Sequence, residues 1–314
     1  MIYIEKMYGF AHIQDIGRFG FRNFGIGHAG AMDSLALQAG NLLLENAPNT
    51  PAIEVTLGGF SLTFDCDTPF CFTGALCEAY LDDQPVYAYW RYTAKARQRL
   101  TVKQITIGNY LYLCVGGGFR VPKVLDSYST DLKAGFGGYQ GRLLRAGDNL
   151  PTGKRDTVLS SISIEPIDFT NKIHLIPSSE FEDFTEQSKL LLQQQTWRLE
   201  KNSSRMGYRL SGEKKLTLKQ PLEMLSYAAP MGTIQVPPDG MPIVLMADTQ
   251  TTGGYPKIAC VIEADLGRFA QCAFNHSKQS AVYFSIVSYQ EARERYQQNQ
   301  EYLTNIRRKV NATR

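Results

Sequence analysis

At 314 residues, with 43% hydrophobic and 20% charged side chains, the chain has the composition of a folded globular protein and not of a disordered one. Its length fits two packed units or one large β-rich unit. The net charge of +3 is outweighed by Arg307, Arg308, Lys309 and Arg314 alone, so the rest is close to neutral and offers no basic stripe for nucleic acid.

In chain order, the first expected helix is Asp33–Leu44, capped by Asp33 with Leu35, Ala39 and Leu42 on one face. Short strands rich in Val, Ile, Tyr, Phe and Thr follow at Ala52–Thr56, Ser61–Phe64, Val86–Trp90, Leu100–Ile107 and Tyr110–Val115. The pattern turns polar at Pro151–Asp156, which reads as a seam. A second helix is expected from Ser179, where Ser179-x-x-Glu182 has capping-box spacing, to about Gln193. Strands return at Ile243–Met246 and Val282–Val287, the latter alternating Val282, Phe284 and Ile286 with Tyr283 and Ser285. A third helix starts near Ser288 with Ser288-x-x-Glu291, its apolar stripe being Ala292, Tyr296, Leu303 and Ile306. Strands and helices do not alternate, which argues against a doubly wound parallel sheet and for barrels or sandwiches. The expected organisation is an N-terminal β unit over 1–155, a C-terminal β unit over 156–290, and a helix with a basic tail over 291–314. The basic end reads as a solvated helix terminus.

No stretch approaches a membrane span, and Met1–Tyr8, carrying Glu5 and Lys6, lacks the apolar run of a signal peptide. The six cysteines form no C-x-x-C pair; Cys114 and Cys260 lie in strand-like apolar contexts. Reduced thiols and a cytoplasmic location are the expectation.

Gly25-Ile26-Gly27-His28-Ala29-Gly30 fits G-x-G-x-x-G, but a dinucleotide fingerprint needs a buried apolar strand before it. The run Asp15–Phe24 carries one acid and two arginines instead. What survives is a Gly-rich loop whose N–H groups can face an anion. Gly147–Lys154 is one residue too long for a Walker A loop and has Arg155 where Ser or Thr is required. The sequence contains no biotin-attachment lysine between methionines. His12, His28, His174 and His276 are scattered without metal-ligand spacing, so no metal site is expected. Three polar, Gly-rich clusters remain: Asp15–Asp33, Lys201–Leu210 and Ala247–Ile258. Their Arg and Lys residues supply positive charge, Thr and Gly neutral donors, and Asp an acceptor or base. They equally suit ordinary turns.

These clusters sit among longer ordered blocks: Asp15–Gly20, Gly30-Ala31-Met32-Asp33, Ala52-Ile53-Glu54, Phe72–Ala75, Gly116–Gly118, Gly137–Arg142, Gly147-Asp148, Arg205–Leu210, Gly232–Pro237 and Thr251–Ala259. In them the chain resembles the KipA family, whose members are C subunits of 5-oxoprolinase, also called allophanate hydrolase subunit 2. It is similar to part of the carboxyltransferase domain of urea carboxylase. The resemblance runs from about Tyr8 to about Ala292. It implies a mainly β fold of two cyclophilin-like β-barrel units with a few helices. It further implies ATP-dependent cleavage of 5-oxo-L-proline to L-glutamate, shared with two other 5-oxoprolinase components, one of KipI type and one of LamB/YcsF type. ATP would be bound by the complex rather than in a P-loop of this chain, with no covalently attached biotin. The alternatives are biotin-dependent carboxyl transfer to a urea-like nitrogen and a non-enzymatic regulatory subunit that binds a KipI-type protein. The chain departs from the family where Ala31 replaces a proline, Ser204 an acid, Tyr227 a glutamate and Thr249 an arginine, and where Phe274-Asn275 replaces a Pro-Gly.

From their side-chain chemistry, Asp33 and Asp248 are expected as acid/base or orienting groups, and Lys257 as a catalytic cation. Arg18, Gly27, His28, Arg205, Thr251, Thr252, Gly253, Gly254 and Tyr255 are the expected substrate- or anion-binding residues, with backbone amides of Gly25–Gly30 and Thr251–Gly254 as oxyanion donors.

Overall fold

The computed structural model describes residues 1–153, 159–272 and 281–313. Lys154 and Arg155 of the incomplete phosphate loop, the Phe274-Asn275 pair, His276 and Arg314 lie outside the described residues. The chain forms two compact units. The first comprises Met1–Phe19, Ala29–Asp168 and Gln300–Arg314, the second Gly20–His28 and Phe169–Asn299. Three segments therefore fall on the other side of the expected boundaries at 155 and 290, the first being the stretch that runs up to Asp168, which belongs to the N-terminal half. The Gly-rich stretch Gly20–His28 goes with the C-terminal half, and the end of the last helix with the N-terminal half, where Leu303, Ile306 and Val310 are buried.

The first unit contains β1 (Ile2–Met7), β2 (Phe10–Gln14), α1 (Ser34–Leu43), β3 (Ala52–Thr56), β4 (Phe60–Phe64), β5 (Thr68–Leu81), β6 (Gln84–Val86), β7 (Arg91–Ala94), β8 (Arg99–Val115) and β9 (Asn149–Leu150). They make one nine-stranded sheet, ordered β2-β3-β8-β4-β1-β9, with β5 joining β8 and carrying β6 and β7. The sheet curls into a half-barrel. The two strands expected at 100–107 and 110–115 are one 17-residue strand, β8, which pairs with β3 and β4 and whose pairing with β5 is broken by three register shifts. Such shifts bend and twist a long ladder, here around a core of Phe60, Phe64, Phe70 and Phe72. Helix α1 starts where expected: the Asp33 carboxylate accepts the Ala36 N–H at 3.0 Å.

The second unit contains β10 (Lys172–Pro177), α2 (Glu186–Gln194), β11 (Trp197–Leu199), β12 (Gly207–Ser211), β13 (Tyr227–Ala228), β14 (Thr233–Gln235), β15 (Ile243–Leu245), β16 (Thr252–Gly253), β17 (Lys257–Val261), α3 (Glu263–Ala270), β18 (Ala281–Ile286) and the first half of α4 (Tyr289–Asn311). Seven strands close a barrel in the order β10-β17-β14-β15-β12-β11-β18, and β13 with β16 forms a separate two-stranded ribbon. Trp197, Tyr208, Phe269 and Phe284 are buried, with Tyr208 and Phe269 rings 5.3 Å apart. The mainly β, barrel-based fold is the expected one.

Two helix expectations change. Helix α2 begins at Glu186, capped by the Thr185 hydroxyl, not at Ser179; residues Phe181–Asp183 form only a 3-10 turn. Helix α3 was not anticipated. Helix α4 does start on the Ser288–Glu291 box: the Glu291 carboxylate accepts the Ser288 N–H at 2.8 Å and Ser288 Oγ accepts the Glu291 N–H at 3.2 Å. Among the described residues, no helix is long and apolar enough to cross a membrane.

Candidate functional site

Several residues of the matched blocks have their charge consumed inside the first unit. The Asp15 carboxylate accepts from the Gly17 and Tyr128 N–H groups and from the Ser127 and Ser129 hydroxyls, at 2.5–2.9 Å. Arg18 is 1% exposed; its guanidinium donates to the Val124 and Ser129 carbonyls and lies over the Phe136 ring. A Cβ on Gly137 would stand 2.1 Å from that same Ser129 carbonyl, so the backbone approach needs glycine. Glu54, fully buried, accepts the Met32 N–H, the Tyr112 hydroxyl and a His12 ring contact, which ties down the loop that ends at Asp33. Asp33 itself is the α1 cap. Asp148 is held by Arg142 through two bonds of 2.7 and 2.8 Å. Burial alone raises the Asp148 carboxyl, but Arg142 and the Arg145 N–H hold it below the ordinary aspartate value. Arg18 and Asp33 thus act on their own unit's loops, and Asp33, Asp248 and Lys257 do not all fall in one unit.

In the second unit, Arg205 and Asp248 form a bidentate pair, Nε to Oδ2 and Nη2 to Oδ1, both at 2.8 Å. The expected anion binder and the expected base neutralise each other. Thr249 beside them is 1% exposed and, among the described residues, its hydroxyl has no hydrogen-bond partner. Ser204 sits in a turn where its hydroxyl accepts the Met206 N–H. In the first unit, the Ala31 N–H donates to the Asp15 carbonyl at 2.8 Å, a bond a proline there cannot make.

Lys257 behaves differently. It opens β17 and is 3% exposed. Its ammonium lies 3.1 Å from the centroid of the Tyr227 ring and donates to the Gly253 carbonyl at 3.3 Å. Among the described residues no ion pair engages the ammonium, although Glu180 lies close by. One Glu180 oxygen accepts the Lys257 backbone N–H at 3.0 Å and the other the Tyr227 hydroxyl, which also meets Ser179 Oγ at 3.1 Å. Burial therefore lowers the Lys257 amine below the ordinary lysine value, with the Glu180 charge opposing. For Glu180, burial raises the carboxyl, and bonds from Ser179, Tyr227 and the Lys257 N–H, with the lysine charge, bring it below its ordinary value.

Gln235, not among the expected site residues, completes the cluster. A register shift in the β14–β17 pairing sets Gln235 opposite Lys257, so the two side chains share a face. Gln235 is 2% exposed and, among the described residues, its amide Nε2 has no hydrogen-bond partner. A Cβ on Gly253 would stand 2.3 Å from that nitrogen, so the glycine lets the ribbon close on it. The strand Thr233–Gln235 is otherwise apolar or small, and a glutamine in a buried strand was the available signal. Arg22, also not anticipated, donates from Nη2 to the carbonyls of Ala229, Thr251 and Gln250 at 2.9–3.2 Å, fixing the ends of the β13–β16 ribbon. Burial lowers its guanidinium below the ordinary arginine value.

The remaining expected residues divide as follows. Gly253 is buried, and Thr251 and Thr252 flank or form the ribbon; Gly254 and Tyr255 are exposed. Gly27 and His28 are half-buried in the N-terminal segment of the same unit. The Gly25 and Gly30 amides already donate, to the Arg22 carbonyl and Gln14 Oε1. The arrangement thus offers two oxygen-seeking donors, Lys257 and Gln235, beside an oriented carboxylate and under an aromatic ring.

The family model for carboxyltransferase domain, subdomains A and B, matches residues 24–279, and the chain belongs to this family. It is 54% identical over 310 residues to the C subunit of 5-oxoprolinase from Haemophilus influenzae, with 99% of each chain covered. It is 44% identical to the C subunit of 5-oxoprolinase from Escherichia coli, with 98% and 97% covered. Its fold matches the urea carboxylase of Kluyveromyces lactis with a TM-score of 0.89 at 25% identity. The match covers 97% of this chain but 29% of that one. The urea amidolyase of K. lactis matches with a TM-score of 0.88 at 26% identity, over 97% of this chain and 20% of the other.

Proposed function

We propose that the chain is one component of a cytoplasmic 5-oxoprolinase, which with its KipI-type and LamB/YcsF-type partners cleaves 5-oxo-L-proline to L-glutamate at the expense of ATP. The observation that carries the reading is the pairing of Lys257 and Gln235: among the described residues, a buried ammonium without an ion pair opposite a buried amide nitrogen without a hydrogen-bond partner. The 54% identity to the C subunit of a 5-oxoprolinase over the full chain supports the substrate class. That substrate carries a carboxylate and a lactam carbonyl, and two convergent donors suit either oxygen group. An amide is a poor electrophile; ATP, bound by the complex, supplies the activation. Lys257 and Gln235 then stabilise negative charge on oxygen as the tetrahedral centre forms. Glu180 orients Lys257 through its backbone N–H, and the Tyr227 ring excludes water from the ammonium.

The test is reconstitution. The complex with cognate partners should consume 5-oxoproline only with ATP, and the isolated chain should show little or no turnover. A complete complex that leaves 5-oxoproline untouched sinks the reading, as does full turnover by the chain alone. The fold match to urea carboxylase supports a second reading, carboxyl transfer from biotin to a urea-like nitrogen. Dependence of activity on a biotin carrier, abolished by avidin, would select it instead.

A further inference from the structure

A cavity of about 290 Å³ in the second unit is lined by Lys172, His174, Asp265, Arg268, Arg295 and Gln298, with Thr170 at its edge. It shares no residue with the Lys257 cluster. Asp265, in the first turn of α3, holds His174 twice: one carboxylate oxygen lies 2.9 Å from the His174 backbone N and 2.6 Å from Nδ1. With Nδ1 engaged, Nε2 is the ring nitrogen left for a ligand.

The other charges divide into spent and unspent. Arg268 donates to the Ala264 carbonyl and to Asn299 Oδ1, and lies 3.7 Å from Asp265. Glu291, whose charge bears on both Arg295 and His174, gives one carboxylate oxygen to the Ser288 N–H and hydroxyl. Asp265 is occupied by His174 and Arg268. Among the described residues, no ion pair engages the Lys172 ammonium or the Arg295 guanidinium. The cavity wall therefore carries two cations, the Lys172 ammonium and the Arg295 guanidinium, together with the Gln298 amide; its lining carboxylate, Asp265, is engaged by His174 and Arg268, and Glu291 lies one helical turn from Arg295. One histidine and one aspartate already bonded to each other do not make a metal-ligand set, and no group of three such ligands occurs among the described residues.

We propose that this cavity is an oxyanion site that takes a phosphate-bearing small molecule. A planar guanidinium and a mobile ammonium on one cavity match a tetrahedral dianion with several acceptor oxygens, and the volume exceeds what a bare phosphate fills. The site is independent of the 5-oxoproline reading.

The experiment is calorimetric titration of the full chain, at constant ionic strength, with inorganic phosphate, pyrophosphate and acetate. Phosphate or pyrophosphate should bind saturably, and the larger anion better. The double variant Lys172→Ala/Arg295→Ala should lose at least about tenfold in affinity while melting, without ligand, as the wild type does. Both changed side chains lie outside the core, so the fold is not at stake. Three results overturn the proposal: no saturable heat from either phosphate species up to about 10 mM, acetate binding as tightly as phosphate, or a double variant that binds as the wild type does.

Discussion

Replacing Lys257 by methionine separates the charge of this residue from its packing. The lysine is 3% exposed, so truncation to alanine removes a buried stem and opens a cavity, which costs about 2–5 kcal/mol by analogy with other long core side chains. Methionine keeps most of that stem and deletes only the ammonium. The ammonium has one hydrogen bond, at 3.3 Å, and a ring beneath it, and burial lowers its amine below the ordinary lysine value. A folded-state value below the unfolded one means that the charged form weighs against folding at neutral pH, and that stability rises as pH climbs through the folded value. Lys257→Met should therefore leave stability unchanged or raise it by up to about 1 kcal/mol, a gain of roughly 2–4 °C in a unit of this size. Its catalytic effect has the opposite sign. Loss of a positioned donor to a developing oxyanion costs about 2–4 kcal/mol, or roughly 30- to 1,000-fold in turnover of the reconstituted complex. Steady-state turnover and thermal melts on the same preparation decide it. Turnover within about threefold of wild type removes Lys257 from the chemistry, and a melting point lower by more than about 8 °C makes the residue structural.

Gln235→Leu removes a buried donor that, among the described residues, has no partner; melting should rise by a few degrees, about 1–2 kcal/mol, while turnover of the complex falls about tenfold. Unchanged turnover in a more stable variant would reduce Gln235 to a packing residue. Arg22→Met, which has no donor for the three carbonyls that Nη2 meets, should cut turnover about tenfold by loosening the β13–β16 ribbon. Faster amide exchange at Tyr227–Ala228 and Thr252–Gly253 is the accompanying readout, and wild-type exchange there would refute the clamp. Asp148 sits below the ordinary aspartate value of 3.8, so its contribution to stability is fully present above that value and lost as pH falls below it. Urea melts should show Asp148→Asn clearly weaker than wild type at pH 7 and the gap closing towards about pH 2; a gap that persists there contradicts the ion-pair account.

What could be read from the sequence follows from how far each side chain reaches. Asp33 caps α1 and Ser288 caps α4 through partners three residues away, and both starts are legible for that reason. Ser179 has the same local spacing, but its hydroxyl meets Tyr227, 48 residues on, and the helix waits for Thr185. Helix α3 is not legible in the sequence because its cap, Ile262, makes no side-chain bond and Gly267 lies in its interior. The alternation in β18 was legible because Tyr283 and Ser285 are exposed while Val282 and Phe284 are buried. Gln235 was not, because only a register shift, invisible in one strand, sets it opposite Lys257.

The same distinction separates the charges that build the fold from those that serve the site. Arg18, Arg205, Asp33, Glu54 and Asp148 look catalytic by residue type, yet each is held by partners within its own unit. Such groups specify loops. Lys257 and Gln235 do not follow that pattern. Each leaves buried hydrogen-bonding capacity unmet, at a cost of about 1–3 kcal/mol apiece that methionine and leucine would avoid. Two such donors facing each other across one strand pair add nothing to the packing that apolar side chains would not supply. A ligand oxygen that arrives from solution supplies a reason to keep them, because the desolvation has then been met in advance and the donors need not reorganise when charge develops.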